Sequence, residues 1–165
     1  MKSDLELFLC SVEPSYLKFL HKLDKKVSVK YNNRAYVGLI TMINKIEYVL
    51  PLTSQTTDKR AILGKNKRSA RITTFVRDSS GNEIANILHN NMIPVLPSFY
   101  TVLNINASED TYEANEIRFI RKNKDKIIYK AQKVHDDRIN KPDSFLLGQC
   151  CDFSLLESQY FTFAY

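Results

Sequence analysis

Glycine is scarce in this chain, 4 among 165 residues, and no GxGxxG or GxxxxGKS/T string occurs. Nucleotide binding through a glycine-rich phosphate loop is thereby excluded. The histidines, His21, His89 and His135, are scattered, and no His or Cys pair sits at zinc-ligand spacing. The reading therefore carries no metal and no cofactor. The three cysteines are an odd number, with Cys150 and Cys151 adjacent and no CxxC. Neighbouring residues rarely satisfy disulfide geometry, so the thiols read as buried and reduced, as in a cytoplasmic protein. A GxSxG elbow is missing, which leaves no signal for a Ser-His-Asp hydrolase. Cys151 and His135 would supply a Cys-His pair, but nothing in their spacing favours it over core thiols. No apolar run is long enough to cross a membrane, and Asp4 and Glu6 break the short run at the start, against a signal peptide.

What is present fits one domain over residues 1–165, with 44% hydrophobic and 25% charged residues. Lys and Arg total 24 against 18 Asp and Glu, a net charge of +6, and the isoelectric point is about 9.2. The charge total alone favours an ordinary basic protein. A nucleic-acid partner becomes the sharper account only where cations gather beside a chemically capable site.

The stretch Tyr36–Ser54 is the feature around which the rest is arranged. Two apolar runs, Tyr36–Ile43 and Ile46–Leu50, flank Asn44 and Lys45 and read as a β-hairpin. Pro51 is expected to stop the second strand, and Thr53 and Ser54 then deliver two hydroxyls into a long polar loop. That loop, Gln55–Ser69, carries Lys59, Arg60, Lys65, Lys67 and Arg68. Phosphate binding would use such a cluster; a solvated loop is the alternative. Before the hairpin, the polar loop Lys30–Arg34 offers Tyr31 and Arg34. Tyr31 reads as a packed rim aromatic, a base-stacking ring or a catalytic phenol.

Elsewhere, Leu5–Val12 reads as a strand and Pro14–Lys25 as an amphipathic helix with Pro14 in its first turn. Arg71–Val76 and Glu83–His89 read as strands around the turn at Asp78–Asn82, Met92–Pro97 as an edge strand or a packed extended segment, and Phe99–Ile105 as a further short strand. Ser108 is expected to cap a helix over Glu109–Lys122, and Asn123 to interrupt it before a second helix over Lys124–Ile139. Their polar sides bear Arg118, Arg121, Lys122, Lys124, Lys126, Lys130 and Lys133, either an RNA groove or a solubilising face. Pro142 and Gly148 bound a loop. Ser154 and Glu157 read as a capping box opening a helix over Leu155–Tyr160.

Hydroxyls and cations on a rigid strand end suit phosphodiester cleavage of RNA. The substrate brings its own 2′-OH nucleophile. The protein must move protons and stabilise charge on the phosphorane oxygens, which needs neither a metal nor a histidine.

Several segments in one order resemble the ToxN/AbiQ family of type III toxin–antitoxin and phage-abortive toxins. They are SYLKFLHKLDKKV, RAYVGLITMINKIEYVLPLTS, NNMIPV, IRFIRKNKDKI and CCDFSLLESQY. The resemblance implies an α+β fold, a strongly bent antiparallel β-sheet with a Kid/MazF-like, barrel-like core surrounded by helices. It implies a metal-independent endoribonuclease that leaves a 2′,3′-cyclic phosphate and a 5′-hydroxyl on cellular or phage RNA. It also implies a small structured RNA antitoxin, a pseudoknot repeat that the toxin processes, in a closed toxin–RNA ring. The family's hydroxyl pair falls on Thr53 and Ser54, its loop tyrosine on Tyr31, and its cation before the hairpin on Arg34 in place of Lys. Thr56 stands where the family often has a further Lys, with Lys59 or Arg60 as substitutes, and Tyr112 is nearest to a later family tyrosine. Catalysis is thus expected of Thr53, Ser54, Arg34 and Tyr31. RNA binding is expected of Lys59, Arg60, Lys65, Lys67, Arg118, Arg121, Lys122 and Lys124. A non-catalytic RNA-binding module, or an interaction domain with solvated lysines, are the rivals.

Overall fold

Asn44 and Lys45 turn the chain at the centre of the fold, with φ of 50° and 69°. Two successive positive φ values make a type I′ turn, whose twist matches that of paired strands. It joins β2 (Val37–Ile43) to β3 (Ile46–Thr53). Their ladder runs from Ile43 opposite Ile46 to Gly38 opposite Pro51. Gly38 has to be glycine for a steric reason. A Cβ there would collide with the Val49 Cγ1 methyl and lie 3.0 Å from Leu50 O. The computed structural model describes residues 7–29 and 36–163; the expected roles of Tyr31 and Arg34 lie outside the described residues.

Seven strands form one antiparallel sheet, bent but not closed, with helices around it. The path is β4 (Thr73–Arg77), β5 (Glu83–Leu88), β3, β2, β1 (Phe8–Val12), β7 (Tyr100–Val102). The short β6 (Ile93–Pro94) also pairs with β3. The expected α+β class and bent antiparallel sheet are therefore the observed ones. β3 is the buried spine, since Tyr48 through Leu52 are all buried. Helix α1 (Pro14–Leu23) buries Tyr16, Leu17 and Leu20. The Tyr16 ring stacks on Phe99 at 5.0 Å and its hydroxyl donates to Pro94 O at 2.5 Å, so a large ring is buried without orphaning its polar tip. Helices α3 (Tyr112–Lys122) and α4 (Lys124–Asn140) put Ile117, Ile120, Ile127, Ala131 and Val134 into the same core. Each buried Ile or Val among them contributes on the order of 2 kcal/mol of burial, and Ala131 less.

Five boundaries differ from expectation. Pro51 does not stop β3. It sits at the last pair of the ladder with β2, where a missing N–H is tolerated, and Leu52 and Thr53 continue by pairing with β5. The polar segment after Ser54 is no plain loop, because it holds the short helix α2 (Thr57–Ile62). Thr111, not Ser108, caps α3, accepting from Ala114 N at 3.1 Å, while Ser108 is held by Asn106. The Pro142–Gly148 segment contains α5 (Ser144–Gln149), capped by Asp143. Helix α6 (Phe153–Gln159) is capped by Asp152 rather than Ser154. Glu157 is called elsewhere: it accepts from Tyr48 Oη and lies 2.6 Å from His135 Nε2, joining β3, α4 and α6.

Candidate active site at the end of the central hairpin

The last pairs of β3 are Leu52 with Ile87 and Thr53 with Asn86. Past them the chain turns sharply off the sheet. Gln55 N donates to Thr53 Oγ1 at 3.1 Å and Thr56 N to Ser54 O at 2.9 Å. Thr53 and Ser54 are both half-buried. Ser54 Oγ makes no hydrogen bond among the described residues, so a rigid strand end presents an uncommitted hydroxyl.

Around this turn lies a polar network. Asn86 is fully buried, and its amide faces two charges. Its Oδ1 accepts from Arg68 Nε at 3.1 Å, and its Nδ2 donates to Glu83 Oε2 at 2.8 Å. Glu83 Oε2 also accepts from Thr57 N, at 2.8 Å. Burial pushes the Glu83 carboxyl up, but the bonds from Asn86 and Thr57 outweigh it and hold the group below its ordinary value. Arg68 Nη2 and Arg60 Nη1 both donate to Gln55 Oε1, at 3.3 and 3.4 Å. Burial, with the Arg60 charge beside it, pulls the Arg68 guanidinium below its ordinary range.

The other expected residues are spread around this centre. Lys67 Nζ lies 4.9 Å from the ring of Phe75 on β4, which pairs with Asn86 on β5. Lys59 and Lys65 are exposed. Thr56 is buried at the head of α2, a place that suits a small residue and not the cation of the family pattern. On the helices, two of the cations are engaged by the protein itself. Arg118 is taken up by Ala107 O, Glu109 O and Asn115 Oδ1, which ties down the segment before α3. Lys130 Nζ donates to Ala70 O and Thr73 O, and its burial lowers its pKa. Arg121 and Lys122 are exposed, and Lys124 is half-buried. Tyr112 Oη donates to Ile84 O at 2.6 Å. Burial, with Glu116 and Glu113 nearby, pushes that phenol up to about 12.

Sequence reasoning missed Asn86 and Gln55, and named Arg68 only as one cation of the loop cluster. Asn86 carried one signal, a polar residue within the apolar run Ile84–Leu88. The Cys-His pairing does not form, since His135 is committed to Glu157 and burial pushes the Cys151 thiol well up. Among the described residues no three His, Cys, Asp or Glu side chains are grouped to hold a metal ion. None of the described helices is long and apolar enough to cross a membrane.

The family model for the toxin ToxN of type III toxin–antitoxin systems matches residues 8–161. The endoribonuclease AbiQ of Lactococcus lactis subsp. lactis is 28% identical over 155 residues, covering 90% of this chain and 85% of its own. The endoribonuclease ToxN of Bacillus thuringiensis subsp. kurstaki is 29% identical over 163 residues, with 90% and 80% covered. The solved structure of AbiQ, a lactococcal anti-phage endoribonuclease, superposes with a TM-score of 0.81 at 25% identity, covering 96% of this chain and 98% of that one. A structure from work on selective toxin inhibition by a non-coding RNA pseudoknot matches with the same TM-score, identity and coverage.

Proposed function

The chain belongs to the ToxN family of toxins from type III toxin–antitoxin systems, and from that premise we propose that it is an endoribonuclease acting in phage defence. The relatives named endoribonuclease, one of them anti-phage, support this. So does the arrangement at the end of β3. The uncommitted Ser54 hydroxyl, with Thr53 before it, is followed in the chain by Gln55, whose side chain accepts from the guanidinium groups of Arg60 and Arg68.

In the proposed reaction the 2′-oxygen of the substrate attacks the adjacent phosphorus. The 2′-O–P bond forms, the P–O5′ bond breaks, and a 2′,3′-cyclic phosphate and a 5′-hydroxyl result, without a metal. One proton leaves the 2′-OH and one reaches the 5′-oxygen, so none is consumed. Ser54 and Thr53 would orient and polarise the phosphate. Arg34 and the loop cations would stabilise the charge that grows on it, and Tyr31 would stack on a base or relay a proton. Arginine serves this electrostatic role but is a poor proton donor.

A small structured RNA would hold the toxin in check in a closed ring of alternating protein and RNA. The relative whose structure accompanies pseudoknot inhibition supports such a partner. Ser54→Ala tests the enzyme reading. The variant is expected to bind RNA while cutting it ~100-fold more slowly or less. No cutting by the wild type would leave only a non-catalytic RNA-binding module, and equal cutting by variant and wild type would take Ser54 out of the reaction.

A further inference from the structure

Gln55, next in the chain to Ser54, is gripped by two cations at once. Arg60 Nη1 and Arg68 Nη2 both donate to its Oε1, at 3.4 and 3.3 Å. Neither guanidinium is ion-paired with a carboxylate among the described residues. The nearest acid to Arg68 in this network, Glu83, is reached only through the Asn86 amide. Two like charges are thus drawn to a single neutral oxygen, although each guanidinium fork is matched best by paired anionic oxygens. The half-buried Arg68 is anchored by its Nε on Asn86, which leaves its terminal nitrogens facing Gln55. Arg60 rides on α2, which buries no residue, and is steadied by Nε donating to Asn66 O at 2.8 Å. Both arginines line a cleft of about 350 Å³ with Lys67, Asn90, Phe145 and Gln149. That is the size of a small-ligand site.

We propose that Arg60 and Arg68 form a phosphodiester clamp in which the non-bridging oxygens of the RNA phosphate at the cut replace the Gln55 amide oxygen as acceptors. The proposal rests on the endoribonuclease reading and goes beyond it by naming the cations that meet the reacting phosphate. It also accounts for Thr56. The expected lysine after Ser54 is missing because the charge arrives from α2 and from the loop beyond it. The clamp moves no proton. It neutralises the charge added to the non-bridging oxygens as the 2′-oxygen attacks and the 5′-oxygen leaves. The flanking nucleotide would occupy the cleft.

The test uses the full chain with Arg60→Gln, Arg68→Gln and Arg68→Lys, and Ser54→Ala as reference. Total RNA is the cleavage substrate. A mixed-sequence 2′-O-methyl oligonucleotide, which lacks the attacking hydroxyl, is the binding probe. Arg60→Gln and Arg68→Gln are each expected to slow cleavage ~100-fold. Each should also flatten the plot of log affinity against log salt by about 0.7, the share of one phosphate contact on a single strand. Arg68→Lys should keep the wild-type salt slope but not the rate, because it keeps the charge and loses the fork. Should Arg68→Gln fail to fold, the other two variants decide. Wild-type rates and slopes in both Arg60→Gln and Arg68→Lys would overturn the clamp. If Ser54→Ala is inactive in that case, only the clamp fails; if Ser54→Ala also cuts like wild type, the site at the end of β3 fails with it, and a wild type that cuts no RNA would sink the endoribonuclease reading itself.

Discussion

Thr53 and Asn86 stand directly opposite each other where β3 passes from its ladder with β2 to its ladder with β5. One residue presents a hydroxyl at the strand end. The other, fully buried, organises the charges around it.

Asn86→Ala would remove the acceptor for Arg68 Nε and a donor to Glu83 at one stroke. Leaving buried polar groups unpaired costs about 1–3 kcal/mol, which a shifted urea midpoint would report. Arg68 would also lose its anchor, so RNA cleavage is expected to fall roughly 10- to 100-fold through misplacement. A variant with the stability loss but wild-type cleavage would show that Asn86 serves the fold alone.

These partners explain which parts of the molecule were legible in the sequence. The hairpin was, because two apolar, β-branched-rich runs around the Asn44-Lys45 pair are a local signal. The helices over α1 and α4 were, because apolar residues recur at helical spacing. The α2 helix buries no residue, so it leaves no periodic trace. The Ser154–Glu157 pair imitates a capping box, but Glu157 is bound by Tyr48, 109 residues away, and no window of sequence reveals that. Thr53 and Ser54 could be singled out, whereas the Asn86–Arg68–Gln55 network joins residues 18 and 13 apart and exists only once β3 and β5 pair.

Gly38→Ala probes the close approach of the two central strands. The new methyl would press on Val49 Cγ1 and on the Leu50 backbone, neither of which is the free end of a flexible side chain. Overpacking of this kind costs about 1–3 kcal/mol. The urea midpoint should fall with an unchanged slope, and a midpoint equal to wild type would mean that the strands part without penalty.

His89 makes stability depend on pH. Its ring is fully buried, with Nε2 2.8 Å from Thr74 Oγ1. Burial, with Lys130 nearby, pulls its pKa down from 6.5 to about 3. The folded protein therefore keeps the ring neutral, while the unfolded chain takes up a proton below pH 6.5. Stability is full above that value and is lost as pH falls toward 3, at up to ~1.4 kcal/mol per pH unit from this group. The melting temperature should drop between pH 7 and pH 4. His89→Gln should drop less over the same range despite a lower starting point. An equal drop in both proteins would remove His89 as the cause.

The termini of the RNA products test the proposed chemistry most directly. Attack by a neighbouring 2′-oxygen leaves a 5′-hydroxyl, which polynucleotide kinase labels without prior phosphatase treatment. It also leaves a cyclic phosphate, which resists phosphatase until acid opens it. Attack by water would instead put a monophosphate on one of the two ends. Cleavage is expected to persist in EDTA, because in the proposed reaction arginines and hydroxyls, and no bound cation, would meet the charge on the phosphorane. Substituting 2′-deoxyribose at the cut should abolish cleavage while leaving binding nearly unchanged. Cutting of the deoxy substrate would show that the nucleophile comes from elsewhere, and restoration of activity by magnesium after EDTA would show that a metal takes part.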